Sequence, residues 1–201
     1  MGIRKTFRVG LPTDYGLSYL NSRLAEFRQV HTDVPLRIRC DLSEQLLESL
    51  VLGELDTVVA ITNEANEDQL IATWEVEPIW VTSLDLTLND GEAVPLIVHP
   101  EGCEYRKRMV ECLNAADRAW YVSYQSPDFV SLQEAVVNGM GVSALTRLTL
   151  DERMGILDVD QGFPALRKMK IGLYTADESQ SGDEVDLING WLSESLARHR
   201  H

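Results

Sequence analysis

The chain has 201 residues, 44% of them hydrophobic, which suffices for the core of one large or two small domains. With 18 basic and 32 acidic residues, its net charge of −14 disfavours direct binding to nucleic acid or to an anionic membrane. No apolar run is long enough to span a membrane, and the N-terminal residues lack the hydrophobic region of a secretory signal. The cysteines, Cys40, Cys103 and Cys112, lack metal-ligand spacing, which indicates a reducing, cytoplasmic compartment.

The N-terminal part of the chain reads as alternating strands and helices. Apolar residues at every second position from Phe7 to Leu11 predict a first strand. A turn with capping residues at Thr13-Asp14 then precedes a predicted helix. The apolar stripe of that helix consists of Leu17, Leu20, Leu24 and Phe27.

The segment from Leu36 to Ile61 predicts a strand–helix–strand unit with a right-handed crossover. Its first strand has alternating apolar residues, which predict one buried face: Leu36, Ile38 and Cys40. Ser43 is the predicted N-cap of the helix, and the β-branched run Thr57–Ile61 predicts a strand buried on both faces. Ligands collect where such strands end and helices begin. Ser43 is therefore either a binding residue or only a cap.

After extended segments between residues 70 and 83, the C-terminal part repeats this alternation of strands and helices. Predicted strands at Pro95–His99 and Trp120–Ser123 flank a helix whose apolar face begins at Tyr105. The sequence Ser126-Pro127-Asp128 predicts a second helix start, and that helix has an inward face formed by Phe129, Leu132, Val136 and Met140. A buried strand at Val142–Leu145 follows, and a strand at Lys170–Tyr174 and an amphipathic helix close the chain.

Several motifs in this order are similar to one family. They are Gly53-Glu54-Leu55-Asp56 after a leucine-rich helix, the block AVVNGMGV from Ala135 to Val142, and PLIVHPEGCEYR from Pro95 to Arg106. From Phe7 to Leu196 the chain resembles the effector-binding domain of LysR-type transcriptional regulators. The resemblance implies an α/β, type 2 periplasmic-binding-protein-like fold, with two Rossmann-like α/β subdomains joined by a two-stranded hinge.

The change from extended apolar segments to turn-rich connections predicts a division of the chain into two subdomains. Subdomain I comprises residues 1–83 and returns at 158–201, and subdomain II comprises 84–157. The chain then crosses between them near Thr82-Ser83-Leu84 and near Leu157-Asp158-Val159. The N-terminal winged helix-turn-helix and the linker helix of the family are absent from this sequence.

The implied function is that of a ligand-sensing and oligomerisation domain of a bacterial regulator. A small-molecule effector binds in the cleft between the subdomains, without a cofactor or a metal. The domain forms a homodimer, with a tetramer as a further state of the full-length protein. DNA is contacted only through the absent N-terminal domain, and no membrane is involved.

The candidate effector-binding residues lie at turns where strands end or helices begin. They are Thr13, Asp14, Ser43, Thr62, Glu101, Gly102, Cys103, Arg106 and Ser126. The family commonly carries a neutral Ser or Thr where this chain has Asp14. A carboxylate there disfavours a free carboxylate ligand nearby and favours an amine, a hydroxyl-rich group or a cation.

Alternatives remain open at several of these residues. Asp14 can act as a helix cap instead of a ligand contact, and Arg106 can pair with Glu101 instead of with an anion. A catalytic pair of Cys103 with His99 is the weakest reading, since no general acid–base pair, metal cluster or phosphate loop accompanies it. The chain is therefore not expected to be an enzyme. A solute-binding protein of a transport system, which shares the fold, is the main alternative.

Overall fold

The computed structural model describes residues 6–15, 20–61, 69–89, 91–176 and 183–197. The chain forms two compact units. The first unit consists of residues 1–75 and 170–201, and the second consists of residues 76–169. The chain therefore passes from the first unit to the second and returns.

The first unit is built on a five-stranded sheet. Its strands are β1 (Phe7–Pro12), β2 (Leu36–Asp41), β3 (Thr57–Ile61), β4 (Leu70–Val76) and β10 (Met169–Thr175), in the order β2-β1-β3-β10-β4. Strands β1, β2 and β3 run parallel, and β10 runs antiparallel to β3. The helices are α1 (Thr13–Tyr15), α2 (Asn21–Val30), α3 (Ser43–Val51) and α6 (Asp183–Ala197).

The predicted burial of the first unit holds at its centre and fails at its edge. Every residue of β3 is buried, as its β-branched run predicts. In contrast, β2 is an edge strand, and Ile38 is 37% exposed and Cys40 is also exposed. The prediction of one buried face for β2 is wrong, because alternation cannot tell whether another layer covers an edge strand.

Helices α2 and α6 contribute the apolar stripes that the sequence predicts. Leu20, Leu24 and Phe27 are buried, while the predicted Leu17 lies outside the described residues. Ile188 and Leu192 of α6 are buried as well. Trp191 of α6 links the two helices, because its indole N–H donates to the Arg23 carbonyl of α2 at 3.0 Å.

The second unit contains two small sheets. Strand β5 (Ile79–Ser83) lies between β8 (Ser143–Leu145) and β9 (Met154–Leu157), antiparallel to both. Strand β6 (Val94–Val98) pairs in parallel with β7 (Trp120–Gln125). Two helices, α4 (Glu104–Ala115) and α5 (Phe129–Val137), and short 3-10 helices at Arg147–Thr149 and Val159–Gln161 complete the unit.

The core of the second unit gathers around α5. Phe129, Leu132 and Val136 are buried there together with Val81 and Ile97. Met140, predicted on the inward face of this helix, lies beyond its end and is 45% exposed. That prediction is wrong because the helix ends at Val137, so the helical spacing no longer applies at Met140.

Both predicted crossing segments lie within the second unit. Thr82 pairs with Gly155, and Ser83 pairs with Met154, in the sheet formed by β5 and β9. The boundaries of the units follow residues 75 and 169 instead. Because β5 and β9 are both extended and partly apolar, the sequence does not distinguish a connection between units from a strand pair inside one.

Candidate functional site

Three parallel strands of the first unit bring their C-terminal ends to one edge of the sheet. Pro12 at the end of β1 pairs with Asp41 at the end of β2, so Thr13 and Asp14 lie beside the start of α3. Asp14 is only 4% exposed. A buried carboxylate at such a turn favours cationic or hydrogen-bond-donating neighbours.

Ser43 joins this edge in a way that the sequence does not predict. Its hydroxyl oxygen accepts a hydrogen bond from the Ile61 backbone N–H at 2.9 Å. The N-cap of α3 is Leu42, with extended backbone and no capping side chain, and Ser43 is the first helical residue. The predicted cap is therefore wrong by one position. Ser43 ties the start of α3 to the end of β3, and the neighbouring candidate Thr62 lies outside the described residues.

The second unit has an equivalent edge where β6 and β7 end. Between β6 and α4 runs the turn Glu101-Gly102-Cys103, in which Gly102 has a φ of +89° that glycine adopts without strain. Cys103 is the N-cap of α4, without a side-chain capping bond, and its side chain is half-buried and forms no disulfide. Helix N-termini attract anionic groups because their first N–H groups are unpaired within the helix.

Arg106 links the C-terminal ends of β6 and β7 through hydrogen bonds. Its guanidinium donates to the His99 carbonyl at 3.2 Å and to Oε1 of Gln125 at 2.9 Å. Its Nη2 lies 3.7 Å from Oε1 of Glu101, whose side chain is almost fully exposed. The ion pair between Arg106 and Glu101, one of the two predicted alternatives, is thus present. A pair this exposed contributes little to stability.

Ser126 and Asp128 both belong to the predicted start of α5, but only Asp128 caps the helix. Asp128 is the N-cap of α5, and its carboxylate accepts from the Ser131 N–H at 2.7 Å. The hydrogen bond from the Ser131 hydroxyl, and after it the one from the Ser131 N–H, lowers the pKa of Asp128. The Ser126 hydroxyl accepts from the Asp128 N–H at 3.1 Å, while the Ser126 N–H donates to the Val98 carbonyl at 3.2 Å. Ser126 therefore lies against the end of β6.

His99 is the residue at this edge that sequence reasoning considers only as a partner for a nucleophile. It follows β6, is 8% exposed, and its Nδ1 is buried without a hydrogen-bond partner among the described residues. Burial lowers the pKa of His99, and a backbone hydrogen bond with Ser126 opposes that shift in part. In the sequence, only the position of His99 directly after an apolar strand indicates that its side chain is buried at this edge.

The structure brings the candidate residues together in two separate groups. In the first unit, Thr13, Asp14 and Ser43 share an edge with Ile61. In the second unit, the turn at 101–103 lies at one edge together with Arg106, Ser126 and His99. Within the described ranges, His, Cys, Asp and Glu side chains form no group of three or more suited to a metal ion. No helix in those ranges has the length and apolar character to cross a bilayer.

Comparison with known proteins gives a family for this arrangement. The family model described as the LysR substrate binding domain matches residues 2–197. A curated relative, the HTH-type transcriptional regulator PecT of Dickeya dadantii, is 24% identical over 165 residues, which are 82% of this chain and 52% of PecT. This chain therefore spans about half the length of that relative. The relative is a transcriptional regulator and not a transport protein.

Solved structures agree with the family assignment at the level of the fold. The bromide-bound regulatory domain of HypT from Salmonella typhimurium has a TM-score of 0.77 at 14% identity, covering 98% of both chains. A sulfate-bound mutant regulatory domain of OxyR2 from Vibrio vulnificus has a TM-score of 0.72 at 17% identity, covering 98% of this chain and 99% of its own. The chain has the periplasmic-binding-protein-like fold and belongs to the LysR substrate-binding domain family.

Proposed function

We propose that this chain is the effector-sensing part of a transcriptional regulator. The observation that carries the proposal is the match of residues 2–197 to the LysR substrate binding domain. Two α/β units with polar turns at their strand ends support it, since ligands of open α/β sheets bind at such ends. DNA binding belongs to a part of the regulator outside this chain, because a net charge of −14 repels phosphate groups. We also propose a cytoplasmic location, because the three cysteines lack metal-ligand spacing and suit a reducing compartment.

The effector contacts that we propose fall into two groups of different chemistry. Asp14 in the first unit favours an amine, a hydroxyl-rich group or a cation, and Thr13 and Ser43 offer polar contacts at the same edge. Thr62, outside the described residues, stays a candidate from the sequence alone. The turn at 101–103, Arg106 and Ser126 in the second unit favour an anionic group, since two helices begin there. HypT and OxyR2 regulatory domains with bound bromide and sulfate support an anion in a domain of this fold.

A thermal-shift screen tests the sensing function. Candidate ligands are amino acids, hydroxy acids, amines and inorganic anions, each at millimolar concentration. A ligand that binds only the folded domain stabilises it by about 2.7 kcal/mol at 100 times its Kd, which raises the Tm by several degrees. No shift with any of these classes would contradict the proposal.

Two arginine variants make the screen specific for the proposed site. Arg106→Gln removes the charge that bridges the β6 and β7 turns, and we expect it to reduce the Tm shift given by an anionic ligand. Arg153→Gln is the matched control, because Arg153 is an exposed side chain bound to Asp151 and Glu134. Each shift is measured against the Tm of the same variant without ligand. Equal losses in the two variants would mean that Arg106 has no specific part in binding.

We also propose that the domain forms a homodimer. The family resemblance implies that helix α2 of one protomer packs beside the second unit of its partner, twice by symmetry. Exposed apolar side chains on both elements support such a contact: Val30 on α2 is 66% exposed, and Val130 on α5 is 49% exposed. Ile38 on the edge strand β2 adds to the apolar surface of the first unit.

A further inference from the structure

The buried imidazole of His99, at the end of β6, is a candidate for a further functional group. His99 stands at the end of β6 and is 8% exposed, and its Nδ1 has no hydrogen-bond partner among the residues that the structure describes. Buried polar atoms are nearly always paired, so an unpaired one indicates a functional constraint or a missing ligand. The backbone carbonyl of His99 is held by Arg106, which fixes the residue in place.

The surroundings of His99 combine two helix starts with few fixed charges. From α5, Asp128 acts on the imidazole electrostatically, and the Ser126 backbone forms a hydrogen bond with it. From α4, Arg106 reaches the carbonyl of His99 and also pairs with Glu101 in the intervening turn. Asp128 already accepts two hydrogen bonds from Ser131 as a helix cap. Its carboxylate caps α5 and keeps its charge, so the start of α4, where Cys103 makes no side-chain capping bond, is the helix N-terminus that attracts an added anion.

We propose that His99 couples effector binding to proton uptake: an anionic group bound at the β6 end of the second unit draws a proton onto Nδ1, whose new N–H then donates to that anion. The inference rests on the proposed function, because it assumes an anionic ligand group at this edge. It makes His99 a determinant of specificity for anions over neutral ligands, and it makes sensing stronger in mildly acidic solution.

The sign of the effect follows from the burial of the imidazole. Without ligand, burial lowers the pKa of His99, so the ring is neutral at neutral pH. A nearby negative charge raises the pKa again, because it stabilises the imidazolium. Between these two pKa values, binding takes up one proton. Affinity then rises as the pH falls, by at most about tenfold per pH unit for one proton.

Sulfate is the probe for this coupling, because it keeps both charges throughout the pH range in which histidine titrates. Its Kd for the wild-type chain is measured by calorimetry between about pH 5.5 and pH 7.5, the range of histidine titration. Two buffers with different ionisation enthalpies report the number of protons taken up. We expect tighter binding at the lower pH, with uptake of up to one proton per sulfate.

Two histidine variants separate His99 from the other titrating groups. His99→Gln keeps a polar side chain of similar length but cannot take up the proton, so we expect its sulfate affinity to lose the histidine-like pH dependence. His31→Gln is the matched control, since His31 is the C-cap residue of α2 in the first unit, where it packs against Phe27 and Trp191. We expect that variant to keep the pH dependence of the wild type.

The outcomes distinguish the inference from the sensing function itself. An unchanged pH slope in His99→Gln overturns the role of His99 while leaving anion binding intact. Absence of sulfate binding by the wild type at the lowest pH overturns the anion site and the inference with it, whereas the thermal-shift screen still tests sensing of other ligands. If His99→Gln does not fold, histidine NMR of the wild type decides. The His99 pKa must rise on saturation with sulfate, and an unchanged pKa refutes the inference.

Discussion

At the scale of single residues, Ser43 shows how a side chain can hold a strand end to a helix start. Its hydroxyl is the acceptor for the N–H of Ile61, a residue that is almost fully buried. Ser43→Ala would leave that N–H without this partner, and an unpaired buried donor costs about 1–3 kcal/mol. We expect a loss of that size in the free energy of unfolding, measured by urea denaturation.

Ser43→Thr is the control for this prediction. Threonine retains the hydroxyl oxygen that accepts from Ile61, so we expect most of the stability to remain. A loss in Ser43→Thr as large as that in Ser43→Ala would contradict the role of the hydrogen bond. An unchanged stability in Ser43→Ala would do so as well.

At the scale of elements, Gly141 decides how closely the segment before β8 approaches β6. The Val142 N–H donates to the Pro95 carbonyl at 2.8 Å, and the Ile97 N–H donates to the Val142 carbonyl at 2.8 Å. A Cβ on Gly141 would lie 2.3 Å from the Pro95 carbonyl oxygen, and its φ is +155°. Because the obstacle is backbone, the two segments would have to separate.

Gly141→Ala therefore tests the packing of β6, the strand that leads to His99. We expect a loss of more than about 3 kcal/mol, or failure to fold, from the steric clash and the backbone strain. Gly53→Ala is the matched control: Gly53 also has a positive φ, +71°, but a Cβ there meets nothing within 4 Å. We expect it to cost about 1 kcal/mol. Equal losses, compared by thermal and urea unfolding, would refute the steric argument.

At the scale of the whole molecule, the proposed homodimer depends on apolar side chains that the units leave exposed. Val130 and Met140 border a surface groove of about 380 Å³ beside α5, and Val130 is 49% exposed. Val137 on the same helix packs against the core of the second unit, so a charge there would disturb folding rather than association. Val130 is accordingly the better position for a test.

We expect the wild-type chain to be a dimer at micromolar concentration and Val130→Glu or Val30→Glu to be monomeric, as measured by light scattering. A charge buried in an isologous contact is repeated by symmetry and costs several kcal/mol in all. Val159→Glu is the control, since Val159 is also an exposed valine, at 69%, but belongs to a 3-10 helix and not to α2 or α5. A monomeric wild type would contradict the dimer, and a dimer that persists in both variants would move the interface elsewhere.

The succession of strands and helices and the family can be read from local patterns in the sequence. The continuous β-branched run of β3 predicts full burial, and the structure buries all five residues. The Gly53-Glu54-Leu55-Asp56 and AVVNGMGV motifs predict the LysR family, and the family model confirms it. These signals are local, because periodicity and motif spacing depend on the chemistry of neighbouring residues in one segment.

The tertiary structure alone decided which polar groups meet. Ser43 reads as a cap from its neighbours, yet its partner Ile61 lies 18 residues further along the chain. The exposure of Ile38 follows from the edge position of β2, which the order of strands sets. That His99 Nδ1 lacks a hydrogen-bond partner among the described residues likewise depends on how α4 and α5 pack at the end of β6. Long-range contacts of this kind are fixed by packing and topology, so no local pattern in the sequence contains them.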